Sequence, residues 1–416
     1  MDTPFRAGSI DFVREDTFYK LTACCKCGST RRTEERKANM YYKPDWEQAK
    51  KRVEAFWHNE VIDRCCIAVF APRKTSKLPP FPELQLGPWL EGLESIPEDD
   101  QDSIRKWWTD PEENYRRLTT WFENTYFGGE AIPATTVNWG AMPLAAFFGS
   151  PVVFNKKSVW YPEVISDWGS WKWHFDQATN QYWHQILAIN RYLIERSEGR
   201  YFIGSPQVGS AGDVLSLMRG MDKLCLDLVE NQDAARQAIT VLTDTWISLH
   251  EQLYSMGLKA NGGAGILDWM SLWAPGRHAQ VACDLSTVLS PQMFRGFFGD
   301  EIKREGNWCD YCTYHLDGPR AMKIHLPTLL SMEEIDTIEF TPGAGCAPTF
   351  SPQYIPLYKK IQEAGKRLYL LAKPEEIEPL LHKLSPRGLF LHTQASSEEE
   401  ADSLLRSAAK WSADKL

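Results

Sequence analysis

The feature that most constrains this chain is the regular alternation of helix-like and strand-like text in its last quarter. Tyr354 to Ala364 has a helical period, Arg367 to Ala372 reads as a strand, and a helix opens at Pro374-Glu375-Glu376. Gly388 to Thr393 reads as the next strand, and Ser396-Ser397-Glu398-Glu399-Glu400 opens the last helix. Acidic residues in a first turn suit the positive end of the helix dipole. The spacing is about 20–25 residues per unit, which requires parallel strands joined by right-handed crossovers.

Strand-like apolar runs occur near 64–70, 131–138, 201–206, 263–268, 309–315, 335–340, 367–372 and 388–393. About eight such units predict an α/β fold of the (β/α)8 TIM-barrel class. A doubly wound sheet is the alternative, but Gly262-Gly263-Ala264-Gly265 lacks the spacing of a dinucleotide fingerprint. The helical stretch from Asp45 to Trp57 precedes the first strand. Residues 1–60 are therefore expected to be an N-terminal extension and 61–416 the barrel, with a Trp-rich insertion around 74–183.

With 416 residues, 43% of them hydrophobic, the chain can build a core of that size. Lys and Arg number 46 against 55 Asp and Glu, a formal charge of −9, which argues against a nucleic-acid partner. No apolar run approaches a membrane span, and the opening Met1-Asp2-Thr3-Pro4-Phe5-Arg6 lacks a signal-peptide core. A cytoplasmic protein, with its ten cysteines as thiols, is the expectation. Cys24, Cys25 and Cys27 contain a Cys-x-x-Cys step without a nearby second pair to complete a structural zinc site. Ten of the 17 Trp fall between Trp89 and Trp183, which suits an aromatic core, an oligomer interface such as a homodimer's, or a pocket wall.

In such barrels chemistry sits at the C-terminal ends of the strands. Those ends carry Asn138-Trp139, Asp268-Trp269 with Trp273 and Arg277 close behind, His315-Leu316-Asp317 and Glu339, and Asp284 follows a further short apolar stretch. Strand alternation places Cys309, Tyr311, Thr313, His315 and Asp317 on one face and Cys312 on the other. A Cys309/Cys312 pair would then be unable to chelate within one extended strand. His315 and Asp317 could face the barrel mouth as metal ligands or as an acid/base pair. Equally, His315 could be a satisfied core imidazole and Asp317 a cap on the Gly-Pro turn.

Several motifs resemble the uroporphyrinogen decarboxylase-like superfamily. They are Asp213-Val214-Leu215 to Arg219-Gly220, Cys283-Asp284-Leu285-Ser286, Tyr314-His315-Leu316-Asp317-Gly318-Pro319, Phe340-Thr341-Pro342-Gly343-Ala344-Gly345, and Thr393 to Leu405. The resemblance spans roughly residues 45–410 and implies the same barrel. It also implies decarboxylation, or zinc-dependent methyl transfer between corrinoid proteins and thiols. The Arg-rich N-terminal segment of true uroporphyrinogen decarboxylases is missing. Where the zinc methyltransferases carry His-x-Cys and a later Cys, this chain has His315-Leu316-Asp317 and Ala395. A divalent metal, zinc or a harder ion, would lose its soft ligands here.

Three functions follow as expectations. The first is an enzyme of this superfamily acting on a small molecule by methyl transfer or decarboxylation. His315, Asp317 and Asp284 would be catalytic, with His315 and Asp317 as metal ligands if a metal is used. Substrate would be bound by Asn138, Trp139, Asp213, Asp268, Trp269, Trp273, Arg277 and Glu339. The second is a carbohydrate-active barrel with Trp stacking, whose paired carboxylates would stand about 5–5.5 Å apart for retention or about 6.5–9.5 Å for inversion. The third is a non-catalytic partner of a corrinoid protein.

Overall fold

The structure is a computed structural model that describes residues 40–77, 92–413 and 415. Cys24, Cys25 and Cys27 lie outside those residues. Helix α1 (Trp46–Trp57) turns Trp46, Ala49, Val53, Phe56 and Trp57 inward. It falls within the unit Asn39–Leu416 and packs on the main body of the protein. Strand β1 (Cys66–Pro72) is apolar and buried on both faces, as a parallel strand covered by helices must be.

Two helices follow, α2 (Gln101–Thr109) and α3 (Pro111–Asn124). Asp110 starts the second by accepting the N–H groups of Glu112 and Glu113, with Pro111 at the first helical position. Strand β2 (Thr125–Gly129) returns antiparallel to β1. Next come β3 (Ala134–Thr135), the single turn α4 (Leu144–Phe147), and the hairpin of β4 (Val153–Phe154) and β5 (Val159–Trp160). Helix α5 (Gln181–Ser197), capped by Asn180, leads to β6 (Phe202–Ile203), which pairs in parallel with β3.

Three helices then follow without an intervening strand: α6 (Ala211–Arg219), α7 (Met221–Glu230) and α8 (Gln232–Gly257). A hairpin of β7 (Gly265–Leu267) and β8 (Leu272–Ala274) precedes β9 (His278–Ala282). The remainder is the regular alternation read from the sequence. It runs α9 (Pro291–Trp308), β10 (Tyr311–Asp317), α10 (Pro319–Leu330), β11 (Thr337–Thr341), α11 (Ile355–Glu363), β12 (Arg367–Leu371), α12 (Pro374–Lys383), β13 (Leu389–Gln394) and α13 (Glu398–Ala413).

The central sheet has the order β2-β1-β13-β12-β11-β10-β9, parallel except for β2. Among the described residues this ladder does not close into a ring, so the expected closed eight-stranded barrel is not what the hydrogen bonds form. The runs at 131–138 and 201–206 shrink to the two-residue pair β3–β6, and the run at 263–268 becomes one arm of a hairpin. Side chains occupy ladder positions in that region. Asn261 accepts the N–H of Ile203 at 2.9 Å and donates to its carbonyl at 2.7 Å. Ser210 Oγ accepts the N–H of Ala282 on β9 at 3.0 Å, and Ser271 Oγ that of Ile132 at 2.8 Å. Backbone groups satisfied in this way need no neighbouring strand.

The start of β10 also departs from simple alternation. The N–H groups of Asp310 and Tyr311 both bond the carbonyl of Arg277 at 2.9 Å, so two residues oppose one in a β-bulge. The bulge resets the phase between Cys309 and the strand. Cys309 and Cys312 therefore lie side by side as hydrogen-bonding neighbours, contrary to the opposite faces that strict alternation predicts.

Candidate active site

Strands β10 and β11 are parallel and in register, with His315 level with Glu339. Partners at the same level of a ladder point to the same face, and here the His315 Nδ1–H donates to Glu339 Oε2. Thr341 donates to the other carboxyl oxygen at 2.7 Å. Glu339 is fully buried, and both of its oxygens are engaged. Burial alone would depress the His315 pKa. The Glu339 carboxylate outweighs it, with Asp284 and Asp317 adding in the same direction, and the imidazole is carried up to about 9. His315 is thus an imidazolium near neutral pH. Its Nδ1 is held by Glu339, and Nε2 is the nitrogen left for other partners.

His315 lines a cavity of about 240 Å³, together with Asp284, Asp213, Trp269, Gln280 and Gln207. The Trp269 ring stands edge-on to His315 at 5.9 Å between centroids. The Gln280 side-chain carbonyl accepts Trp269 Nε1–H at 2.8 Å and Gln207 Nε2–H at 3.0 Å, which fixes both side chains. A second cleft of about 400 Å³ shares Ala141, Gln207 and Trp269 with the first, and adds Trp108, Asn138, Lys157 and Asp268. The two form one continuous recess.

The walls are acidic. Asp284 is open to solvent yet closely flanked by protein, and that enclosure raises its pKa, with His315 opposing. Asp213 is buried behind it, and burial, with the neighbouring Asp284, pushes its carboxyl up to about 8. Burial pushes Asp268 up to about 7, and its Oδ2 has no hydrogen-bond partner. His250 also borders the cavity, but burial lowers it to about 4 and its Nδ1 is bonded to the Trp246 carbonyl. Among the described residues lining the first cavity, His315 is therefore the one cationic group near neutral pH.

The expected site residues do not all converge. His315, Asp284, Asp213 and Trp269 line the first cavity, and Asn138 and Asp268 the second. Glu339 acts on the cavity through His315. Asp317, at the end of β10, is half-buried and close enough to influence His315 and Asp284. Trp139, expected at the pocket, is a core residue against Phe154 and Tyr182. Trp273 and Arg277 were expected beyond a strand end at Asp268, but the β7–β8 hairpin turns the chain back. Trp273 packs against Trp46, and Arg277 immediately precedes β9, beyond the end of that strand opposite Ala282, paired with Glu251 at 3.2 Å. Gln207 and Gln280 were missed. Gln207 lies in the β6–α6 loop and Gln280 is a polar break in an apolar strand, and both were visible as such in the sequence.

For a metal expected at His315 and Asp317, His315 would have Nε2 to offer, since its Nδ1 is held by Glu339, whose second oxygen is taken by Thr341. Among the described residues no three His, Cys, Asp or Glu side chains are grouped to hold an ion. Ala395, which follows β13, is buried.

No family model and no curated sequence matches the chain. Among solved structures, a methyltransferase from Methanosarcina mazei has a similar fold, with a TM-score of 0.54 at 13% identity. The likeness covers 87% of this chain and 98% of that one. What the two share is a mixed α/β architecture around a mostly parallel sheet. No helix among the described residues is long and apolar enough to cross a membrane.

Proposed function

We propose that the chain is a methyltransferase of the uroporphyrinogen decarboxylase-like kind, using protonated His315 as its acid on a small methylated substrate. The observation that carries this is the His315–Glu339 pair at the edge of a recess with acidic walls. Removing a methyl group from oxygen or nitrogen leaves an electron pair on that heteroatom. Imidazolium Nε2–H supplies the proton it needs as the carbon–heteroatom bond breaks, while the methyl group passes to a nucleophile. The balance is R–X–CH3 + Nu⁻ + H⁺ → R–XH + CH3–Nu. The motif resemblance supports a corrinoid protein or a thiol as that nucleophile, and the shared fold with a methyltransferase points the same way. Asp284 and Asp317 stabilise the charged acid, and Glu339 holds its orientation.

Decarboxylation could use the same proton at carbon, but its substrate carries a carboxylate. Asp284 lines the first cavity and Asp317 lies close to it, and both would oppose that charge, with His315 as the one cation lining that cavity, so a neutral or cationic substrate fits better there. Glycoside cleavage needs two carboxyls free to reach the scissile bond; Glu339 has neither oxygen free, which leaves Asp284 and Asp268, in different clefts, for that role.

The test is to incubate the protein with cob(I)alamin and a panel of methyl ethers and methylated amines, following methylcobalamin by absorbance. Methylation that falls about 10²–10⁴-fold in His315→Gln supports the acid. Turnover unchanged in that variant contradicts it.

A further inference from the structure

Away from the recess, at the start of β10, Cys309 and Cys312 form a structured pair of thiols. Cys309 ends α9, is half-buried, and donates its S–H to the carbonyl of Glu305 at 3.5 Å. Cys312 is fully buried on β10 and is a hydrogen-bond neighbour of Cys309. Neither is in a disulfide. The Asp310–Tyr311 bulge brings them together, since an unbulged strand would turn them to opposite faces. Asp310 holds that bulge by accepting the N–H of Arg277 at 2.8 Å. It also packs so closely on Gly276 that a Cβ there would lie 2.7 Å from its carboxyl oxygen.

We propose that Cys309 and Cys312 are an oxidisable dithiol that a peroxide closes to a disulfide, with Cys309 as the attacking sulfur. Cys309 is the thiol that solvent reaches. Its thiolate attacks the peroxide O–O bond to give a sulfenic acid and hydroxide, and Cys312 then attacks that sulfur and releases water. For hydrogen peroxide the sum is two thiols plus H2O2 giving one disulfide and two waters. The hydrogen bond to Cys309, together with burial, holds Cys312 in the protonated form, which suits a resolving thiol that waits for the sulfenic acid. Closure removes the S–H that Cys309 gives to Glu305. The side-chain carboxyl of the same Glu305 accepts from Ser210 Oγ at 2.9 Å, and Ser210 Oγ accepts the N–H of Ala282, which lines the first cavity.

The full-length protein would be treated with a small excess of hydrogen peroxide, alkylated after denaturation, and mapped by peptide mass spectrometry. The expected product is a Cys309–Cys312 crosslink with loss of two hydrogens, absent in Cys309→Ser. In Cys312→Ser, the expected product is a Cys309 sulfenic acid captured by dimedone. The proposal is overturned if both cysteines alkylate after peroxide as fully as in untreated protein, or if any crosslink joins other cysteines instead.

Discussion

His315 on β10 and Glu339 on β11 face each other at one level of a parallel ladder, and the imidazole donates to the buried carboxylate. Because Thr341 occupies the second oxygen, Glu339 has no other role than to hold that ring and its charge. The chemistry proposed here depends on that one pair.

Its pH dependence follows. With His315 raised to about 9, turnover that needs the imidazolium is maintained through neutral pH and falls as pH rises through about 9. Replacing Glu339 by Gln removes the charge that opposes burial. The falling limb of the pH–rate profile should then move to lower pH, with Asp284 and Asp317 still opposing burial, whereas an unmoved limb would assign it to another group.

Stability should fall as pH rises above about 6.5. Asp213 moves from its ordinary 3.8, and Glu305 from 4.5, to about 8 in the folded protein, through burial first. Between those values the folded state keeps a proton that the unfolded chain has released, so each acid lowers stability as pH rises. Buried His250, His278 and His392, lowered to about 4, 3 and 3, oppose this up to about 6.5, and the decline is clear from about pH 6.5 to 8. His315 continues the trend: its contribution is complete below 6.5 and lost as pH rises through about 9. Thermal midpoints measured across this range should slope downward, and Asp213→Asn should flatten the slope. A midpoint rising over the same interval would contradict the buried-acid description.

The entry to the sheet rests on a buried ion pair. Arg64 donates to both oxygens of Glu130 at 2.6 and 3.0 Å, and the Ile67 N–H adds a third bond at 2.7 Å. Glu130→Ala strands a buried guanidinium and should destabilise by about 3–5 kcal/mol in urea unfolding. A loss below about 1 kcal/mol would mean that water reaches Arg64.

Gly204 bears on substrate binding. A Cβ there would stand 3.1 Å from that of Asp268 and 3.3 Å from its Oδ1. Gly204→Ala should displace Asp268 from the wall of the second cleft and raise KM several-fold, with kcat changed far less. A fall in kcat with KM unchanged would place Asp268 at the reacting atoms instead.

The last quarter of the fold was legible because its strands are apolar, covered on both faces and separated by capped helices. Period two alone placed His315 and Asp317 on the face that Cys312 avoids. The middle of the chain was not legible, and the reason is local. Asn261, Ser210 and Ser271 take backbone groups that strands would otherwise pair, and no propensity scale registers such replacements. The Asp268–Ser271 turn, closed by Ser271 N–H to the Asp268 carbonyl with Ser271 at φ 54°, sent Trp273 and Arg277 away from the recess. Trp139 carries the same aromatic signal as Trp269, and only packing separates a core indole from one at a cavity.

The most direct measurement is an NMR pH titration of ¹⁵N-labelled histidines, with His315→Gln used to assign the signal. A His315 resonance titrating near 9 is the predicted result. Titration at or below 6.5 would mean that His315 is neutral at physiological pH, and the acid role proposed for it would be wrong.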